Sequence, residues 1–149
     1  MNIAVVSKRF AVAPQLAPGD LAAAAGAGYR VLICNRPDGE DADQTNFVEI
    51  EAEATKYDID AIYLPVTSGK VTDEDAENFK SKLRELPTPV LAYCRSGTRS
   101  ITLWSLVQAN YRDTSEILEM TKAAGYDMSG VVRRIVNGGK TPTESADIK

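Results

Sequence analysis

The chain has 149 residues, 44% hydrophobic and 26% charged, with a net charge of -4, two cysteines and no histidine. That length supports one domain with its own core, and no apolar run approaches the roughly 18 residues needed to span a bilayer. The acidic balance gives no basic field for nucleic acid, the missing imidazole excludes His-paired nucleophiles and His-ligated zinc, and two cysteines are too few for a disulfide framework or a thiolate zinc site.

The opening "MNIAVVSKRF" lacks the basic start, long apolar centre and cleavage site of a signal peptide, so a cytoplasmic protein is expected. Two edge-like strands are predicted near residues 3–6 and 9–13. In "QLAPGDLAAAAGAG" Pro18 stands in the first turn of a short helix that closes at Gly26 or Gly28. The runs "VLIC" (31–34), "AIYLPV" (61–66) and "PVLAYC" (89–94) are continuously apolar, as strands buried on both faces of a parallel sheet read. Phe47, Ile50, Ala54 and Tyr57 mark one intervening helix and Ala76, Phe79, Leu83 and Leu86 another. Thr72 and Asp75 resemble a capping box for the second, which Pro87 and Pro89 stop. This alternation predicts an α/β fold, a mainly parallel sheet of four to five strands flanked by helices with right-handed crossovers.

Residues 98–110 form the next predicted helix, followed by "DTSEILEMTKAAG" and "DMSGVVRRIVNGG", each opening on an acceptable cap and closing on glycine. The C-terminal half is thus helical. One domain over residues 1–138 is expected, with the polar residues 139–149 as a disordered tail.

The chemistry concentrates in "LAYCRSGTRSITLW", residues 91–104. Ligands of open parallel sheets bind beyond the carboxyl ends of the strands, and Cys94 ends the strand expected to be most central. The backbone N–H groups of Arg95, Ser96, Gly97, Thr98 and Arg99 can curl into an anion-holding nest at a helix N-terminus. Nest, helix dipole and two guanidinium groups all favour the thiolate, and Ser100 is positioned in sequence to donate to the sulfur. The alternative is a small buried residue ending a strand beside surface ion pairs. Cys34 also ends a strand; it reads as core packing or as a resolving thiol.

"CRSGTRS" resembles the active-site loop of rhodanese-like sulfurtransferases and, more loosely, that of the cysteine phosphatases. Together with "NRPDGE" and "AIYLPVTSGKVTDED", it resembles the phosphatase-like domain of the beta-lactamase-hydrolase-like protein family, some members of which are described as sulfur transferases. The match runs over about residues 9–136. The resemblance implies a fold like that of the dual-specificity phosphatases, with the cysteine loop at its centre; the chain has neither the length nor the histidines for the metal-binding beta-lactamase-like domain the family name refers to, so no metal or cofactor is expected.

Only four residues separate Cys94 from Arg99, as in many rhodanese-like loops, whereas the phosphatase loop has five. A shorter ring suits a sulfur atom better than a phosphoryl group with three oxygens. The phosphatase pattern also implies a histidine before the cysteine and a general-acid aspartate after "PV"; here Tyr93 and Thr67 or Ser68 stand there. Sulfur transfer is therefore the leading expectation. In it, Cys94 takes sulfane sulfur from thiosulfate or a persulfide and passes it to a thiol or cyanide, while Arg95 and Arg99 hold the small anionic donor. A cysteine phosphatase working through a phosphocysteine is the alternative, and a non-catalytic anion or redox sensor a third. Arg36, Asp38, Ser68 and Asp73 are further candidates for the site, with Asp38 or Asp73 as an acid. Nothing in the sequence specifies an oligomeric state.

Overall fold

In the computed structural model residues 2–143 are described. Five strands, β1 (Ala4–Ser7), β2 (Phe10–Ala13), β3 (Val31–Cys34), β4 (Asp60–Tyr63) and β5 (Val90–Tyr93), form one sheet in the order β1-β2-β5-β3-β4. β1 runs antiparallel to β2 and the other pairs are parallel. β5 is therefore the middle strand, as expected for the strand that ends at Cys94.

Side chains alternate along the three inner strands and split the core between the two faces. Leu32, Cys34, Leu91 and Tyr93 meet Leu21 and Ala24 of α1 (Leu21–Gly26) and Phe47, Ile50 and Ala54 of α2 (Phe47–Lys56). Ile33, Val90 and Ala92 face the other way, toward α3 (Asp73–Glu85), α4 (Thr98–Gln108), α5 (Thr114–Ala123) and α6 (Val132–Val136). Phe79 of α3 is fully buried there, and truncating such a side chain to alanine costs about 3 to 5 kcal/mol. The predicted capping box forms: Thr72 Oγ1 accepts from the Asp75 N–H at 3.0 Å, and Asp75 Oδ2 from the Thr72 N–H at 2.9 Å.

Helix α4 is enclosed on nearly every side, with Arg99 through Val107 all buried. Its small polar residues make this possible: Ser105 returns its hydroxyl to the Ile101 carbonyl at 2.8 Å, leaving no orphaned group. A β-carbon at Gly139, where φ is +86°, would collide with the Leu106 carbonyl, so only glycine lets the C-terminal segment lie this close against α4.

Two strand expectations are corrected. β2 is an inner strand, fully buried between β1 and β5, rather than an edge. β1 is an edge as expected, and β4 is the other edge, whose run is not buried on both faces: with a neighbour on one side only, Asp60 and Tyr63 are exposed. The expected tail at residues 139–149 is in part engaged, since Gly139 is buried and Thr141 donates to Asp73 at 3.0 Å through its N–H; residues 144–149 lie outside the described residues. Among the described residues no helix is long and apolar enough to cross a membrane.

Candidate active site

The loops that follow β2 and β3 flank the end of β5, so the cysteine loop sits where the strand order reverses. Backbone hydrogen bonds tie it there: the Cys94 N–H donates to the Ala13 carbonyl at 3.4 Å and the Gln15 N–H to the Arg95 carbonyl at 3.2 Å. Gly97 takes φ +94° and caps α4, and its N–H turns inward to donate to the Cys94 sulfur at 3.1 Å. The left-handed φ is what lets the chain turn from strand to helix within three residues of the thiol.

Arg99 is 6% exposed and lies beside Cys94. Its Nη1 and Nη2 donate to the two oxygens of Glu40 at 2.8 and 3.0 Å, and Nη1 also donates to the Val66 carbonyl at 2.9 Å. Three of its five N–H donors are thus used by Glu40 and Val66, and the Cys94 sulfur is its further side-chain partner. Burial works against the guanidinium charge, but Glu40 and the Cys94 sulfur outweigh it and hold its pKa up. Glu40 responds in the opposite sense. The Arg99 hydrogen bond, with Arg36 adding to it against the burial penalty, lowers its carboxyl from 4.5 to about 2.

Arg36 is 3% exposed and stands behind Glu40, donating to it from Nε at 2.9 Å, to Gln15 Oε1 at 3.0 Å and to Asp41 Oδ2 at 2.7 Å. It braces the site from beneath and does not line its mouth. Arg95 is exposed, 3.6 Å from Asp41. Ser96 Oγ donates to Thr98 Oγ1 at 3.0 Å, and both residues face solvent.

An open cavity of about 290 Å³ lies over the loop, lined by Arg95, Ser96, Thr98, Arg99 and Thr102, by Ser68, Gly69 and Val71, and by Val131 and Arg134. Ser68 is among these lining residues. Three of the expected residues are placed elsewhere. Ser100 donates to Asn35 Oδ1 at 2.8 Å rather than to the sulfur, because both are buried and Asn35 needs the donor. Asp38 accepts from the Phe47 N–H at 2.9 Å, at the start of α2. Asp73 pairs with Arg134 at 3.0 Å and lies outside the cavity lining. Cys34 is buried on the opposite face, donating to the Arg36 carbonyl at 3.3 Å.

Glu40, Tyr126 and Arg134 are not found by reading the sequence. Glu40 closes the quoted "NRPDGE" segment, and two buried arginines that need a counter-charge are the signal that points to it. Tyr126 donates its hydroxyl to the Ser96 carbonyl at 2.8 Å, and a β-carbon at Gly97 would strike that hydroxyl. Neither it nor Arg134 sits in a motif.

Residues 2–111 match the phosphatase-like domain of the beta-lactamase hydrolase-like protein. The chain belongs to that family. A protein of Agrobacterium fabrum called beta-lactamase hydrolase-like is 29% identical over 89% of the chain, and the chain spans 31% of that relative's length. A solved structure of a candidate phosphatase from Neisseria meningitidis shares 31% identity and superposes with a TM-score of 0.83 over 93% of this chain and 99% of that one. The core catalytic domain of the PP-IP phosphatase SIW14 from S. cerevisiae, 11% identical, shares the fold alone, with a TM-score of 0.69 over 91% of this chain and 83% of that one. The phosphatase-like family and fold support an enzyme of phosphatase type and give the sulfur-transfer expectation no support.

Proposed function

We propose that the domain is a cysteine-dependent phosphatase acting on a small phosphate monoester. The observation that carries the reading is the setting of Arg99: Glu40 occupies the Nη1/Nη2 side and orients the guanidinium beside the Cys94 sulfur, so that Nε and the second Nη2 hydrogen can clasp two oxygens of a tetrahedral anion entering there. A cavity of about 290 Å³ also has room for an oxyanion and an organic body.

In this reading the Cys94 thiolate attacks phosphorus in line, the P–O bond to the leaving group breaks with its electron pair, and a phosphocysteine forms. Water then attacks that intermediate, releasing inorganic phosphate and restoring the thiolate. The Gly97 N–H that now meets the sulfur stabilises the negative charge before attack, and the Arg99 edge stabilises the equatorial oxygens during it. The described cavity lining contains no carboxyl acid, so esters with acidic alcohols are the better substrates.

Hydrolysis of para-nitrophenyl phosphate by the wild type, with inhibition by vanadate and loss in Cys94→Ser and Arg99→Ala, is the expected result. No turnover of this ester, together with thiocyanate formation from thiosulfate and cyanide, would overturn the reading.

A further inference from the structure

The cavity over the cysteine loop is larger than a phosphoryl group needs, and one wall of it comes from residues outside the loop. Val71 and Val131 give that wall an apolar surface and Arg134 adds a third guanidinium to those of Arg95 and Arg99, with no carboxylate in the described lining. Field and shape together ask for a ligand that is anionic at two places with an apolar stretch between them.

Arg134 is under-used as it stands. Its Nη1 donates to the Val71 carbonyl at 2.7 Å and its Nη2 to Asp73 Oδ1 at 3.0 Å, while Nε is buried without an acceptor. Two of five donors are engaged, and an orphaned guanidinium N–H favours any arrangement that supplies a better acceptor. Asp73 can release it. The N–H and hydroxyl of Thr141 donate to the same Asp73 oxygen at 3.0 and 2.9 Å, so the carboxylate keeps two donors if Arg134 turns to a ligand. Asp73 is also the more exposed partner, with side-chain exposure of 45% against 19% for Arg134.

We infer that Arg134 forms a second anion subsite, and that the substrate is a phosphate monoester whose organic body carries a further phosphate or carboxylate at the end remote from the reacting group. The identity of the reacting phosphoryl group rests on the phosphatase reading; the second contact does not. The body lies along Val71 and Val131, the phosphoryl group at Cys94 and Arg99, and the second anion at Arg134.

Calorimetry on the Cys94→Ser protein, with phenyl phosphate compared with 3- and 4-carboxyphenyl phosphate and 1,4-phenylene bisphosphate, tests this without turnover. At least one doubly anionic ester is expected to bind about tenfold or more tighter than phenyl phosphate. Adding Arg134→Met should bring that ratio close to one, and adding Asp73→Asn should keep or raise it, because the competing carboxylate is gone. No preference, or a preference that survives Arg134→Met, overturns the inference. So does equal loss in both variants, which would mean that the Arg134–Asp73 pair serves only to hold α6 against α3. If the wild type hydrolyses none of these esters while the binding preference appears and follows Arg134, the phosphatase reading falls and the subsite stands.

Discussion

Tyr126 and Gly97 act on opposite ends of one peptide group. The Tyr126 hydroxyl donates to the Ser96 carbonyl, and the N–H of the same planar unit, that of Gly97, donates to the Cys94 sulfur. With carbonyl and N–H pointing in opposite directions across the bond, the hydroxyl fixes the plane so that a donor, and not a carbonyl oxygen, faces the thiol.

Tyr126→Phe removes only that hydroxyl. One hydrogen bond of about 1 kcal/mol is worth about fivefold in the population of the donor-facing loop, so turnover of para-nitrophenyl phosphate should fall by about that factor. Gly97→Ala should be more damaging, because the β-carbon meets Tyr126 and φ is +94°. Unchanged turnover in Tyr126→Phe would show that the peptide is held by the loop alone.

Glu40 contributes to the acid sensitivity of the fold. Its carboxyl is depressed in the folded state, so the stability it contributes is fully present above about pH 4.5 and is lost as pH falls toward 2. With its side chain 22% exposed, solvent screening holds that contribution to on the order of 2 kcal/mol. In urea unfolding between pH 2 and 6, the wild type should gain this much as pH rises, whereas Glu40→Gln should be less stable near neutrality and flatter with pH. Equal slopes for the two proteins would place the acid sensitivity elsewhere.

Ser100 and Asn35 are partners in a fully buried pair: the Ser100 hydroxyl satisfies Asn35 Oδ1, while Asn35 Nδ2 donates to the Leu64 carbonyl at 2.9 Å. Ser100→Ala leaves a buried carbonyl oxygen unpaired, and urea unfolding should show a loss of about 1 to 3 kcal/mol. The double variant Ser100→Ala, Asn35→Leu should not add the two single losses, since no orphan then remains. Strict additivity would mean that the two side chains act independently.

Cys34 is 2% exposed, and burial pushes its thiol above the ordinary range. Iodoacetamide at pH 8 should label it far more slowly in the native protein than in denaturant, as read by peptide mass spectrometry. Equal rates would show that the β3 end opens readily.

The fold was legible where burial alone sets the pattern. Val31–Cys34 and Val90–Tyr93 are continuously apolar because helices cover both their faces, and Phe47, Ile50 and Ala54 keep a helical period because only one stripe of α2 meets the sheet. "AIYLPV" misled because an apolar run does not tell an edge from a centre: Tyr63 is exposed there, yet its hydroxyl accepts from the Asp38 N–H at 3.0 Å. The cysteine loop announced itself through local spacing, whereas its supports come from afar. Glu40 reaches Arg99 across 59 positions, and Arg134 reaches Val71 across 63. Counting residues between Cys94 and Arg99 leaned the chemistry toward sulfur, since a count carries no information about the size of the cavity above the ring.

Nucleophile and part of its enclosure come from different stretches of the chain. Cys94, Arg99 and Glu40 all lie within the family-matched residues 2–111, while Tyr126, Val131 and Arg134 lie after them. The reacting centre and this part of the surface over it can therefore vary separately: under the proposed reading, substitutions at Val131 and Arg134 change which ester is selected while Cys94, Arg99 and Glu40 are untouched, whereas Tyr126 must stay because it holds the cysteine loop itself.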